Sequence, residues 1–257
     1  MAFGLHWLKV WLGSSRWAMW VRRRAHIGLG IAYRDAGHTA AARGHFERGL
    51  EITQRLIDTH GESPERLRDL SLSHNWLGDL QRRDGRTAAA REHFERSLEG
   101  FKRLIDTHSE SPQLLRNLSI SHGTLGNLDR DAGNTAAARG HFKRSLEIDQ
   151  RLIDAYGESP MRLRDLSASH SLLGDLENRD GHTAAARRNF ERGVEIMQRL
   201  IGTHGESPQL LSDLSVSHLQ LGKLDRDAGH TNAERGHCES SLEIMQRLIG
   251  THGESPQ

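Results

Sequence analysis

The dipeptide Leu-Gly occurs at Leu29-Gly30, Leu77-Gly78, Leu125-Gly126, Leu173-Gly174 and Leu221-Gly222, at a constant step of 48 residues. The five prolines, Pro64, Pro112, Pro160, Pro208 and Pro256, keep the same step. A fixed period without insertion or deletion dictates a stack of repeated units. Each unit then buries its apolar face only against its neighbours, so the 257-residue chain needs no single central core.

The unit spanning residues 64–111 sets out the local logic. Ser63-Pro64 predicts a helix start, because Ser caps well and Pro suits the first helical position. Leu67, Leu70, His74, Leu77 and Leu80 recur at steps of three and four and make one apolar face. Asp84-Gly85 ends this first helix, helix A of the unit, because Gly accepts the left-handed turn conformation. Thr87 is the expected cap of the second helix, helix B. Its Ala88-Ala89-Ala90 run favours helix, and Ala90, Phe94, Leu98, Phe101 and Ile105 form its buried face. Arg91–Glu95, Glu92–Arg96 and Glu99–Arg103 are expected as pairs on the wet face. Helices of about 20 residues joined by short loops must run antiparallel. The units are 16–63, 64–111, 112–159, 160–207 and 208–255, about ten long helices in all.

Leu29-Gly30-Ile31-Ala32-Tyr33, followed by Gly37, Ala42, Phe46 and Leu50, resembles the tetratricopeptide-repeat signature. The next three units keep the Leu-Gly, the turn Gly, the Ala and the Phe, at Ala90/Phe94, Ala138/Phe142 and Ala186/Phe190. The resemblance covers residues 26–255 and implies an all-α, right-handed superhelical solenoid of antiparallel helix hairpins. The period departs from the family's usual ~34 residues, so each helix is longer by about two turns. The aromatic residue after Leu-Gly survives only as Tyr33, with Gln81, Asp129, Glu177 and Asp225 in its place. Cys238 stands where the other units have Phe.

Composition narrows the function. Lys+Arg 35 against Asp+Glu 34 leaves a formal charge of +1, without the basic excess of a dedicated nucleic-acid binder. The single cysteine, Cys238, excludes an internal disulfide framework and fits a reducing, cytoplasmic setting. Residues 1–15 are apolar and rich in Trp, with Trp7, Leu8, Trp11 and Leu12 on one helical stripe. That run is too short for a bilayer span, which needs about 20 residues. It reads as a cap on the first unit, as an interfacial membrane helix, or as a start inside a longer array. Gly253-Glu254-Ser255-Pro256-Gln257 repeats the opening of a unit, so residues 256–257 begin a further one. The copies are similar enough to imply recent duplication, in the manner of bacterial multidomain arrays that resemble this one.

Catalytic chemistry finds little footing. His26, His74, His122, His170 and His218 form one column and His45, His93, His141 and His237 a second. Neighbours within a column lie about 10 Å or more apart, too far to share a zinc ion. Both columns are therefore read as structural histidines hydrogen-bonded along the stack. No phosphate loop or dinucleotide-binding glycine motif is present. Ser71 and Ser73 lie near a His column, but nothing supplies an oxyanion hole. Neither a catalytic site, a metal site nor a cofactor is expected.

The resemblance implies a binding site on the inner, concave face, which helix A lines. Columns that vary between fixed neighbours mark it: Asn75 and Trp76; Asp79, Asn127, Asp175 and Lys223; Arg82, Arg130 and Arg226. A row of Arg can hold acidic peptides, or it can be a solvated face paired with Asp131, Asp227 and neighbours. The Lys/Asn carboxylate clamp of chaperone-binding relatives finds only Asn75, Asn127 and Lys223 here, so that specialisation is not expected. The reading is a non-catalytic scaffold for a protein or peptide partner, with end-to-end self-association open. The alternatives are a helical-repeat RNA binder and a histidine-driven pH- or metal-responsive module.

Overall fold

The computed structural model describes residues 16–108 and 110–252. Residues 1–15 and 256–257, on which the capping segment and the start of a further unit fall, lie outside the described residues. The described chain is all-α: α1 (Arg16–Asp35), α2 (Thr39–His60), α3 (Pro64–Arg83), α4 (Thr87–His108), α5 (Pro112–Asp131), α6 (Thr135–Tyr156), α7 (Pro160–Arg179), α8 (Thr183–His204), α9 (Pro208–Asp227) and α10 (Thr231–His252). Lengths alternate between 20 and 22 residues. No helix among the described residues is long and apolar enough to cross a membrane.

Local chemistry sets the helix ends. Ser63, Ser159 and Ser207 each accept a hydrogen bond from the backbone N–H three residues on, with Pro in the first turn. Asp84 closes α3, and Gly85 follows at φ 73°, in the left-handed region that Gly adopts without strain. The turn is tied by Gly85 N–H to the Arg82 carbonyl and Arg86 N–H to the Gln81 carbonyl. The expected Thr cap is corrected. Thr39, Thr135 and Thr183 are the first helical residues, preceded by His38, Asn134 and His182 with no side-chain cap bond.

The packing divides into two compact units, one ending at Leu125 and the other beginning at Gly126, within α5. In the first unit α1 packs on α2, α3 on α4, and α2 on α3. Its apolar clusters join successive hairpins: Ile27, Ala42 and Phe46 meet Leu77 and Leu80. In the second unit α7 packs on α8 and α9 on α10, with α6 on α7 and α8 on α9 between hairpins. Ala138 and Phe142 there pack with Leu173 and Leu176.

The Leu-Gly signature has a steric cause. A Cβ placed on Gly78 would stand 2.7 Å from the Phe94 ring, and one on Gly174 would stand 2.7 Å from the Phe190 ring. The glycine lets the helix-B phenylalanine lie flat against helix A. At Gly222 the partner is Cys238, and the same Cβ would find its sulfur at 3.5 Å, ordinary contact. Gly174→Ala is therefore expected to cost about 1–3 kcal/mol by overpacking. Gly222→Ala is expected to be neutral or stabilising by up to about 1 kcal/mol of helix propensity. Urea unfolding of the two variants checks the difference.

In four hairpins the helix-A histidine is bonded across the hairpin rather than along the stack. Nδ1 of His26 lies 3.0 Å from that of His45, His74 2.9 Å from His93, and His218 3.2 Å from His237. In the α7–α8 hairpin the partner of His170 is instead Asn189, at 3.0 Å.

Candidate partner-binding face

The odd-numbered helices carry the candidate side chains, each anchored by the apolar positions around it. On α3 Asn75, Trp76 and Asp79 are half-buried and Arg82 is exposed. The Trp76 ring stacks on Phe46 of the preceding hairpin at 5.4 Å and 18°, so one of its faces is committed to packing. Asp79 holds both Arg82 and Arg83 at 2.9 Å.

In the second unit three candidates from three helices come together. Asp175 of α7 is half-buried, and burial pushes its carboxyl above the ordinary value. Arg130 of α5, Arg179 of α7 and Lys223 of α9 pull it back down. Asn127, one turn before Arg130 on α5, is half-buried, and Lys223 and Arg226 on α9 are exposed.

Each arginine of the outer column has a carboxylate on its own helix. Arg34 reaches Asp35 at 2.8 Å, Arg82 reaches Asp79, Arg130 reaches Asp131 at 3.2 Å and Arg226 reaches Asp227 at 3.9 Å. Such exposed pairs are worth about 0–1 kcal/mol, so a ligand carboxylate can displace one cheaply.

A second set of charges escaped the sequence reading. In three units the arginine after the Ala-Ala-Ala run reaches from helix B to the next hairpin. Arg43 pairs with Asp84, Arg139 with Glu177 at 2.9 Å and with Asp180, and Arg187 with the fully buried Asp225. This explains the acidic residues at 177 and 225, where the usual pattern calls for an aromatic. The recurrence of arginine every 48 residues was the available signal. Arg103 likewise reaches Glu62 in the preceding loop rather than Glu99 of its own helix, while Arg91–Glu95 at 3.7 Å and Arg96–Glu92 at 2.6 Å form as the spacing predicts.

These charges bear on metal and nucleophile chemistry. Glu177, Asp180 and His182 gather closely enough to hold a cation. The Arg139 guanidinium already sits among them, 2.9 Å from Glu177 and 3.4 Å from His182 Nδ1. Burial works to raise the Glu177 carboxyl, but hydrogen bonds from Arg139 and His182 together hold it below its ordinary value. Ser71 Oγ donates to the Leu67 carbonyl at 2.9 Å and Ser73 Oγ to that of Asp69 at 2.8 Å. Neither hydroxyl is aimed at the nearby histidines.

Two models described as tetratricopeptide repeat match the sequence, over residues 27–61 and 69–151. These spans contain Leu29-Gly30, Gly37 and Phe46, and the Leu-Gly, turn Gly and Phe of the next two units. The chain belongs to the tetratricopeptide-repeat family. No curated protein matches the sequence. Solved structures with the same fold include BtubC (BKLC) from P. vanneervenii, at 21% identity and a TM-score of 0.69, covering 89% of this chain and 81% of that one. A Podosopora anserina putative kinesin light chain with nearly identical TPR-like repeats matches at 18% identity and a TM-score of 0.58, covering 91% and 98%. Aspartyl phosphate phosphatase F from Bacillus subtilis matches at 12% identity and a TM-score of 0.69, covering 93% of this chain and 55% of that one. At these identities the likeness is one of fold. The tetratricopeptide-repeat hairpins of this chain are long, and their outer helix-A positions differ from one unit to the next while the packing positions repeat.

Proposed function

We propose that this tetratricopeptide-repeat chain is a non-catalytic scaffold of five 48-residue units that binds a protein or peptide on the helix-A face carried by its odd-numbered helices, the face that the family resemblance makes concave. One observation carries the reading: Arg130, Asp175 and Lys223, from three successive odd-numbered helices, share one electrostatic neighbourhood. Mixed charge at half-buried and exposed positions, with the exposed apolar Val216 and Leu219 on the same helix as Lys223, suits a ligand that brings both apolar groups and carboxylates. It does not suit a uniform polyanion, which a basic row would serve better. A reducing compartment is part of the proposal and rests on the single cysteine.

The test is a selection of displayed peptides on the wild-type protein, followed by titration of a selected peptide. The comparison is between Arg130→Glu/Lys223→Glu/Arg226→Glu and the helix-B control Arg188→Glu/Arg192→Glu. The first variant is expected to weaken binding by about tenfold or more, the loss of one to two charge-assisted contacts. The control is expected to bind as wild type does. Equal affinity for all three proteins would place binding elsewhere.

A further inference from the structure

Three hairpins share one device that partner binding does not use. In α1–α2, α3–α4 and α9–α10 a helix-A histidine meets a helix-B histidine Nδ1 to Nδ1, at 3.0, 2.9 and 3.2 Å. The ring centroids are 5.2, 5.2 and 5.5 Å apart. With the nitrogens so near and the centroids so far, both nitrogens lie close to the line joining the rings and their lone-pair directions point at one another. That geometry suits one proton between two nitrogens. It does not suit a metal ion, toward which both lone pairs would have to converge.

The proton count then decides the contact. A neutral pair has one Nδ1–H donating to a bare Nδ1. One added proton leaves the bond intact, since the cation still donates to a neutral partner. A second added proton puts N–H against N–H at about 3 Å, two like charges with no acceptor between them. We propose that these paired histidines are acid-sensitive clasps between helix A and helix B, closed with one added proton or none and opened by the second.

The chain contains its own control. In α7–α8 the helix-B partner is Asn189, whose Nδ2 donates to the Ala185 carbonyl and so fixes its Oδ1 toward His170. An amide oxygen accepts from His170 Nδ1–H whether the ring is neutral or charged. Acid therefore has no contact to break in that hairpin.

The surrounding charges set where each clasp opens. Arg22 of α1 and Glu47, Arg48 and Glu51 of α2 line the grooves beside His26 and His45, and Tyr33 stacks on His45 at 5.3 Å. His74 and His93 face Glu92, Glu95, Arg96 and Glu99 of α4, and Glu47, Glu51, Arg55 and Asp58 of α2. Asp225 of α9 lies 3.6 Å from His237 Nε2 and is itself held by Arg187 of α8, with His230 at 3.5 Å. Burial, then the facing histidine, lowers His74 and His218, while burial is the first cause for His93. The second step therefore falls in mildly acidic to acidic solution.

The experiment measures backbone amide protection factors of the full chain, hairpin by hairpin, from pH 7 to pH 4.5. Wild type, His93→Asn and Asn189→His are compared. Protection of α3–α4 is expected to fall by about tenfold for each pH unit by which its second proton step lies below the ordinary histidine value, while α7–α8, where burial lowers His170 but no second ring faces it, falls less. His93→Asn is expected to reduce the fall in α3–α4 to the level of α7–α8, and Asn189→His to deepen the fall in α7–α8. A parallel loss in all hairpins, or a His93→Asn variant that falls as wild type does, overturns the proposal. If Asn189→His does not fold at pH 7, the His93→Asn arm decides alone.

Discussion

Phe94→Ala is expected to lower stability by about 3–5 kcal/mol, the cost of emptying a fully buried aromatic site that cannot collapse. The Phe94 ring is wholly inaccessible and lies against the bare Cα of Gly78, with Leu77 and Leu80 buried on the same helix. Removing it leaves Gly78 facing a void, because glycine has no side chain to move in. Phe142 and Phe190 occupy equivalent places and should behave alike. The fifth hairpin supplies the contrast. Cys238 holds the corresponding position but is exposed, so Cys238→Ala is expected to change stability by less than about 0.5 kcal/mol. Urea unfolding followed by circular dichroism reads both. A Phe94→Ala protein within about 1 kcal/mol of wild type would mean that the Gly–Phe contact does not hold the hairpin.

The second large effect is acid destabilisation. Burial, followed by the facing His93 and by Arg96, depresses His74 from 6.5 to about 4. At pH 7 both folded and unfolded chains hold this ring neutral, and it contributes no difference. Below about pH 6.5 the unfolded chain takes up a proton that the folded chain refuses, so folding loses stability as pH falls. The loss runs at about 1.4 kcal/mol per pH unit and stops near pH 4, about 3 kcal/mol for this residue alone. His26, His93, His170 and His218 are also lowered, with burial the first cause in each, and they add in the same window. Asp69 and Asp175 act in the opposite sense, since burial raises both and acid neutralises them. Five histidines outweigh two carboxyls, so urea midpoints are expected to drop from pH 7 to pH 5. A flat profile over that range would contradict the buried pairing.

What could be read from the residues depended on how locally each feature is caused. The helix starts and turns rest on Ser63-Pro64 and Asp84-Gly85, neighbours whose backbone preferences act within one turn, and they fall where expected. Thr87 was misassigned because Thr suits both the cap and the first turn, and here it is the first helical residue. The contact between Gly78 and Phe94 spans 16 residues and was visible only as two separate signature positions. His74 and His93 stand 19 apart on facing helices. Two columns that each recur every 48 residues do not disclose that they face one another until the rotation of both helices is known. Arg139 with Glu177 and Asp180 is further removed, because a long flexible side chain chooses among carboxylates on two hairpins. On the candidate face the pairing of Arg130 with Asp131 was legible as adjacency. The gathering of Arg130, Asp175 and Lys223 was legible only as a set of variable columns, since their meeting depends on how neighbouring hairpins pack.

The account's central claim is that the helix-A face of the odd-numbered helices is where a partner sits. Amide exchange of the chain, free and saturated with a selected peptide, tests it most directly. The account predicts added protection on α5, α7 and α9 around Asn127, Asp175 and Lys223, with α6 and α8 unchanged. Protection gained instead on the outer face of α8, around Arg188 and Arg192, would contradict it.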